Sequence, residues 1–112
     1  MKYHNTKTEN NGIVFHSKAE SNRYSVLLLL VKSGDIDCLT LQPKFLLQDS
    51  FKDRDGKTHR KIEYIADFKY RDIRYNFPVV EDVKGMRTEV YKLKVKLFLK
   101  KYGHKYIFLE TY

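Results

Sequence analysis

Two aspartates and a lysine stand in β-rich runs where a core strand would prefer apolar side chains. Asp67 lies in Tyr64-Ile65-Ala66-Asp67-Phe68-Lys69-Tyr70, and Asp82 and Lys84 lie in Pro78-Val79-Val80-Glu81-Asp82-Val83-Lys84-Gly85. The polar, turn-forming residues between the runs give the pattern of an antiparallel hairpin. With its turn centred on Arg74 and Tyr75, Asp67 and Asp82 oppose one another, their Cβ atoms roughly 5 Å apart. Alternation puts Lys84 on the same face, about 6.6 Å beyond Asp82. A register slipped by an even number keeps this arrangement, and an odd slip destroys it. Two carboxylates so placed repel unless a cation sits between them, and a divalent metal would remove that cost. An ammonium beside it would orient a metal-bound water or stabilise charge developing on a phosphate. Glu81 is a second acid before the same lysine. Strand alternation turns it away from Lys84 and favours Asp82, whereas a bulge at Asp82 would reverse the choice.

The elements that must position these groups can be read outward from them. Ser17 followed by Glu20 has the spacing of a capping box at the start of a helix. Glu20 also continues the stripe Tyr24, Leu27, Leu28 and Val31, so it reads both as a local cap and as a carboxylate beside the metal; the two roles can coexist. Gly34 stops that helix. Leu39 to Phe51 reads as a strand, with Leu41, Phe45, Leu47 and Phe51 at even spacing and Gln42 on the other face. After a turn at Asp55-Gly56, Lys61 to Tyr70 returns as the first half of the central hairpin. Thr88 caps a second helix running to Tyr102, with Gly103 ending it. Its apolar stripe is Tyr91, Val95, Phe98 and Tyr102, joined by Val90 and Leu97. Lys92, Lys96 and Lys100 form a second row, either a solvated face or a track for a phosphate backbone. Lys105 to Leu109 is the last strand. The expected fold is α/β (α+β), order α-β-β-β-α-β, a mixed sheet flanked by helices.

The chain has 112 residues, 42% hydrophobic and 32% charged, room for one domain with one modest core. Residues 1–12 are polar without periodicity and read as a mobile basic arm, leaving 13–112 as the domain. No signal-peptide pattern opens the chain, and the longest apolar run, Val26 to Val31, is too short to span a bilayer. Twenty-two Lys and Arg against 14 Asp and Glu leave +8, a balance suited to a polyanion. The lone Cys38 fits a reducing cytoplasm and reads as a buried small hydrophobe. Asp53-x-Asp55-Gly56 lacks the first acid of a calcium loop, because Phe51 stands there. The histidines have no zinc-ligand spacing.

The Ala66-Asp67 and Asp82-Val83-Lys84 pair resembles the PD-(D/E)xK nuclease signature, with alanine where that family often has proline. Four runs, F-H-S-K-A-E-S-N-R-Y, L-Q-P-K-F, Y-I-A-D-F-K-Y and V-V-E-D-V-K-G-M-R-T-E-V-Y-K-L-K, are similar to a family of small phage- and prophage-associated nuclease-like proteins of unknown function. In plan these are similar to Holliday-junction resolvases. The resemblance runs from Phe15 to the end. It implies a restriction-endonuclease-like core and a Mg²⁺-dependent phosphodiesterase, Mn²⁺ substituting, with Asp67 and Asp82 on the metal and Lys84 on the attacking water or scissile phosphate. Glu20 would match the helix-borne acid that completes the metal shell, and Gln42 the polar residue of the first strand.

The expected activity is a DNA endonuclease of phage recombination or replication, cutting branched DNA in the bacterial host cytoplasm. Two copies would cut two strands most simply as a homodimer. Lys18, Lys44, Arg87, Lys92, Lys96 and Lys100 are the expected DNA contacts, with neither a membrane nor an organic cofactor involved. The alternative is a non-catalytic nucleic-acid-binding or partner-binding module with a nuclease fold, its tyrosines stacking on unpaired bases.

Overall fold

Apolar β-branched residues flank the adjacent acids Glu81 and Asp82, and the whole run from Val79 to Val83 is buried, so the strand holding them is covered on both faces. The computed structural model of the chain describes residues 7–84 and 87–112. Its elements are β1 (Thr8–Asn10), β2 (Ile13–Phe15), α1 (Lys18–Ser33), β3 (Ile36–Leu41), β4 (Lys44–Gln48), β5 (Phe51–Lys52), β6 (Thr58–His59), β7 (Ile62–Ile65), β8 (Phe68–Asp72), β9 (Phe77–Val83), α2 (Glu89–Tyr102) and β10 (Ile107–Thr111). The fold is mixed α and β. A four-stranded sheet runs β10-β9-β8-β3, parallel between β10 and β9 and antiparallel elsewhere.

Alternation along β9 divides the molecule. Val79 and Val83 join Phe15, Tyr24, Leu27 and Phe68 in a core beneath α1. Val80 joins Phe45, Tyr64, Tyr91, Val95 and Phe98 in a core beneath α2. Glu81 and Asp82, consecutive in sequence, therefore serve opposite faces.

The expected long strands, Leu39–Phe51 and Lys61–Tyr70, are a single hairpin that kinks partway. Partners β3/β8, β4/β7 and β5/β6 continue one another with nearly constant register: Leu41↔Phe68, Lys44↔Ile65 and Phe51↔His59 sum to 109, 109 and 110. The kink lies at Gln42-Pro43 on one side and Ala66-Asp67 on the other. Gln42 takes φ 49, a left-handed conformation rare before proline. Across the kink Gln42 N–H donates to the Asp67 carbonyl at 3.0 Å, and Ala66 N–H to that of Pro43 at 3.1 Å. The bend sends Leu41 to the α1 core and Phe45 and Leu47 to the α2 core, although their even spacing suggested one face.

Other expectations are corrected too. Part of the arm is folded: Thr8–Asn10 pairs with Ile13–Phe15 across an Asn11-Gly12 turn with both φ positive, while residues 1–6 lie outside the described residues. Cys38, expected inside, is exposed at a bulge in β3 with φ 55. The α2 stripe is Tyr91, Val95 and Phe98 with half-buried Tyr102. Val90 and Leu97 are exposed, because each lies about 100° around the helix from its core neighbour. Val31 is exposed at the end of α1. The last strand begins and ends two residues later than expected. The caps hold as read: Ser17 Oγ accepts from Glu20 N–H at 3.1 Å, Gly34 ends α1 with φ 82, and Thr88 Oγ1 accepts from Tyr91 N–H at 3.1 Å. Among the described residues no helix is long and apolar enough to cross a membrane.

Candidate active site

The β8–β9 register pairs Phe68 with Glu81 and Tyr70 with Val79, each summing to 149. Continued one step past the end of β8, it opposes Asp67 to Asp82, as the turn position required. Asp67 sits in the bend, where one carboxylate oxygen accepts the Val83 N–H at 2.7 Å and its own N–H donates to the Glu81 carbonyl at 3.2 Å.

Asp82 is completely buried. The Tyr64 hydroxyl donates to its Oδ2. The Lys84 ammonium lies 2.8 Å from its Oδ1, yet Oδ1 has no directional hydrogen-bond donor among the described residues. Lys84 itself lies over the Tyr91 ring, 4.5 Å from its centroid. Burial, then the Asp82 carboxylate, push the Tyr64 phenol far above its usual range, so it remains a donor.

Glu20, Gln42 and Asp67 line a small cleft of about 120 Å³ with Ile13, Phe15 and Leu41. The hairpin register opposes Gln42 to Asp67 across the kink. Burial, followed by repulsion from Asp82 and Glu20, pushes the Asp67 carboxyl up to about 8, although the Val83 N–H opposes this. Burial also raises Glu20, while His16 and Lys84 act against it.

The donors suit a hard cation. Asp67 and Asp82, with Glu20 beside them, offer only oxygen, the ligand Mg²⁺ prefers; Mg²⁺ keeps several waters and takes one or two carboxylates. Asp82 Oδ1, in charge contact with Lys84 but without a directional hydrogen bond among the described residues, is the atom such an ion would satisfy. Among the described residues, no three acidic, histidine or cysteine side chains converge as a ready-made cage. The fit is to an aquated ion held by the aspartates, with Glu20 acting directly or through water.

Glu81 is occupied elsewhere. The Arg23 guanidinium grips it with two bonds, 2.5 and 2.9 Å, and Tyr70 and Thr111 hydroxyls donate to it at 2.7 and 3.1 Å. It is completely buried on the α1 side, away from Lys84.

Lys18, Lys44, Lys92, Lys96 and Lys100 are exposed. Arg87 is exposed but 3.4 Å from Glu110, and Lys92 is 3.2 Å from Glu89. Gly85 and Met86, within the quoted motif, lie outside the described residues. Sequence reasoning missed Tyr64, Tyr91 and Glu110. Glu110 pairs in register with Asp82 and accepts the Tyr91 hydroxyl at 2.6 Å. The only signal for it was a last strand running two residues further.

Over residues 1–109 the chain matches the model of a family described as Protein of unknown function (DUF1064). No curated protein and no solved structure matches it.

Proposed function

We propose that this chain, which belongs to the family of unknown function matched over residues 1–109, hydrolyses phosphodiester bonds of DNA with Mg²⁺ at Asp67 and Asp82. The observation carrying this reading is the buried Asp82, whose Oδ1 has the Lys84 ammonium 2.8 Å away but no directional hydrogen bond among the described residues, while its other oxygen is held by Tyr64. A purely structural carboxylate at such depth would be expected to have both oxygens hydrogen-bonded.

Asp67 and Asp82 would bind the ion, and Glu20 would hold its water shell. Once bound, the ion polarises the phosphoryl oxygen and lowers the pKa of coordinated water. Lys84 holds positive charge beside the reacting phosphate and stabilises the oxygens as charge develops there. Tyr64 fixes the Asp82 carboxylate in one rotamer. Gln42, across the kink from Asp67, presents a carboxamide to water or phosphate. No covalent intermediate is needed.

The arrangement supports a PD-(D/E)xK-type endonuclease selective for branched DNA, resembling Holliday-junction resolvases. It would act as a homodimer in phage recombination or replication within the host cytoplasm. A non-catalytic nucleic-acid-binding or partner-binding module is the competing reading, favoured by the lack of three converging ligands among the described residues. Incubating branched and linear DNA with Mg²⁺ separates them. Asp82→Asn and Lys84→Ala are expected to cut on the order of 10²–10⁴-fold more slowly than wild type. Equal cleavage by all three proteins removes this site from the reaction.

A further inference from the structure

The kinked hairpin that carries Gln42 and Asp67 at its bend continues to β5 and β6, whose two-residue strands pair, among the described residues, only with each other. A two-stranded hairpin without a covering layer is marginal in water, so a bare tip needs another reason to persist. Phe51 and His59 are cross-strand partners with rings stacked 4.9 Å apart, and Phe51 is 48% exposed. The loop's own chemistry sorts its charges. Asp53 turns inward, accepting from Asp55 N–H at 2.9 Å and Lys57 N–H at 3.0 Å, with the His59 ring 2.9 Å away. Lys52, Arg54, Lys57 and Arg60 are exposed, and none pairs with an acid among the described residues. Five cations stand against three acids between residues 49 and 61.

The geometry points to this tip as a second DNA contact, gripping the duplex arm that flanks the cut. A two-stranded ribbon fits a groove of B-DNA, with cations on the phosphates and an exposed aromatic pressed against the base edges. Phe51 lies nine positions beyond Gln42, so the tip reaches at most about 30 Å from the acidic site at ~3.3 Å per residue. At ~3.4 Å per base pair that is about nine base pairs, nearly one turn of duplex. This inference rests on the nuclease reading for what lies at the ribbon's root, but binding at the tip is measurable without cleavage.

The test measures binding by anisotropy in EDTA on branched DNA with arms of about 20 or about 6 base pairs, using wild type, Phe51→Ala and the Arg54→Ala/Lys57→Ala double variant. Wild type is expected to bind the short-armed DNA roughly ten-fold more weakly, the scale of one lost groove contact. Each variant should show part of that loss already on long arms and respond less than wild type to shortening. The double variant should lower the salt slope by about 2, near one per lost phosphate contact. Circular dichroism melts check that each variant folds. Variants that track wild type at both arm lengths overturn the proposal, as does tighter binding by wild type to single-stranded RNA than to either DNA. If tip-dependent binding holds but no protein cuts, the nuclease reading fails and this one stands. If wild type and tip variants cut and bind alike, the reverse is true.

Discussion

Without a divalent ion, Asp67 should make the protein less stable as pH rises. Its carboxyl is raised from the ordinary 3.8 to about 8, first by burial and then by Asp82 and Glu20. Between those values the folded chain holds a proton that the unfolded chain has released. The stabilisation from this proton is complete below about pH 4 and is lost as pH climbs through the folded value. One such proton changes unfolding free energy by at most about 1.4 kcal/mol per pH unit. For a domain this size that is roughly 5 °C of melting temperature per unit. Glu20, also raised, acts in the same direction. Melting curves in EDTA from pH 5 to 8 should therefore fall faster for wild type than for Asp67→Asn, whose neutral amide cannot titrate. Adding Mg²⁺ at pH 8 should stabilise wild type, leave the variant unchanged and release about half a proton from Asp67, which is half protonated there, measurable by calorimetry in buffers of different ionisation enthalpy. Wild type and Asp67→Asn with the same pH slope would refute the reasoning, as would Mg²⁺ stabilising both equally.

Gln42→Gly should separate backbone from side chain. Glycine accepts φ 49 freely, so urea melts should show a gain of about 1 kcal/mol, while cleavage falls because the carboxamide is gone; undiminished cleavage would remove Gln42 from the mechanism. Arg23→Ala leaves Glu81 buried without its cation and should cost about 3 kcal/mol in the same melts, a loss that a change below 1 kcal/mol would contradict.

The sequence located the β8–β9 hairpin correctly because turn residues centred on Arg74 and Tyr75 leave one register that brings the aspartates together. The same alternation separated Glu81 from Asp82. Both helix starts were legible because Ser17 and Thr88 cap through local spacing. The kink was not, since Leu41, Phe45, Leu47 and Phe51 satisfy a flat strand equally well. What breaks the strand is backbone geometry at Gln42 ahead of Pro43, and alternation carries no record of it. Gln42 thus neighbours Asp67 through the bend, a proximity that alternation along the strand did not record. Asn11-Gly12 was a readable hairpin signal, hidden by the polarity around it. Cys38 and Glu110 depended on a bulge and a strand end, the features least recorded in periodicity.

The Arg23–Glu81 clasp would also penalise misalignment of β9. Were β9 to shift by one position, Glu81 would be forced among Tyr64, Tyr91 and Phe98 with no cation, and the shorter Asp82 would have to reach Arg23 instead. Misassembled chains would thus be disfavoured before Asp67 and Asp82 came to oppose one another. Weakening the clasp in Arg23→Ala is where a second, shifted population would surface, as doubled backbone amide signals from Val79 to Val83.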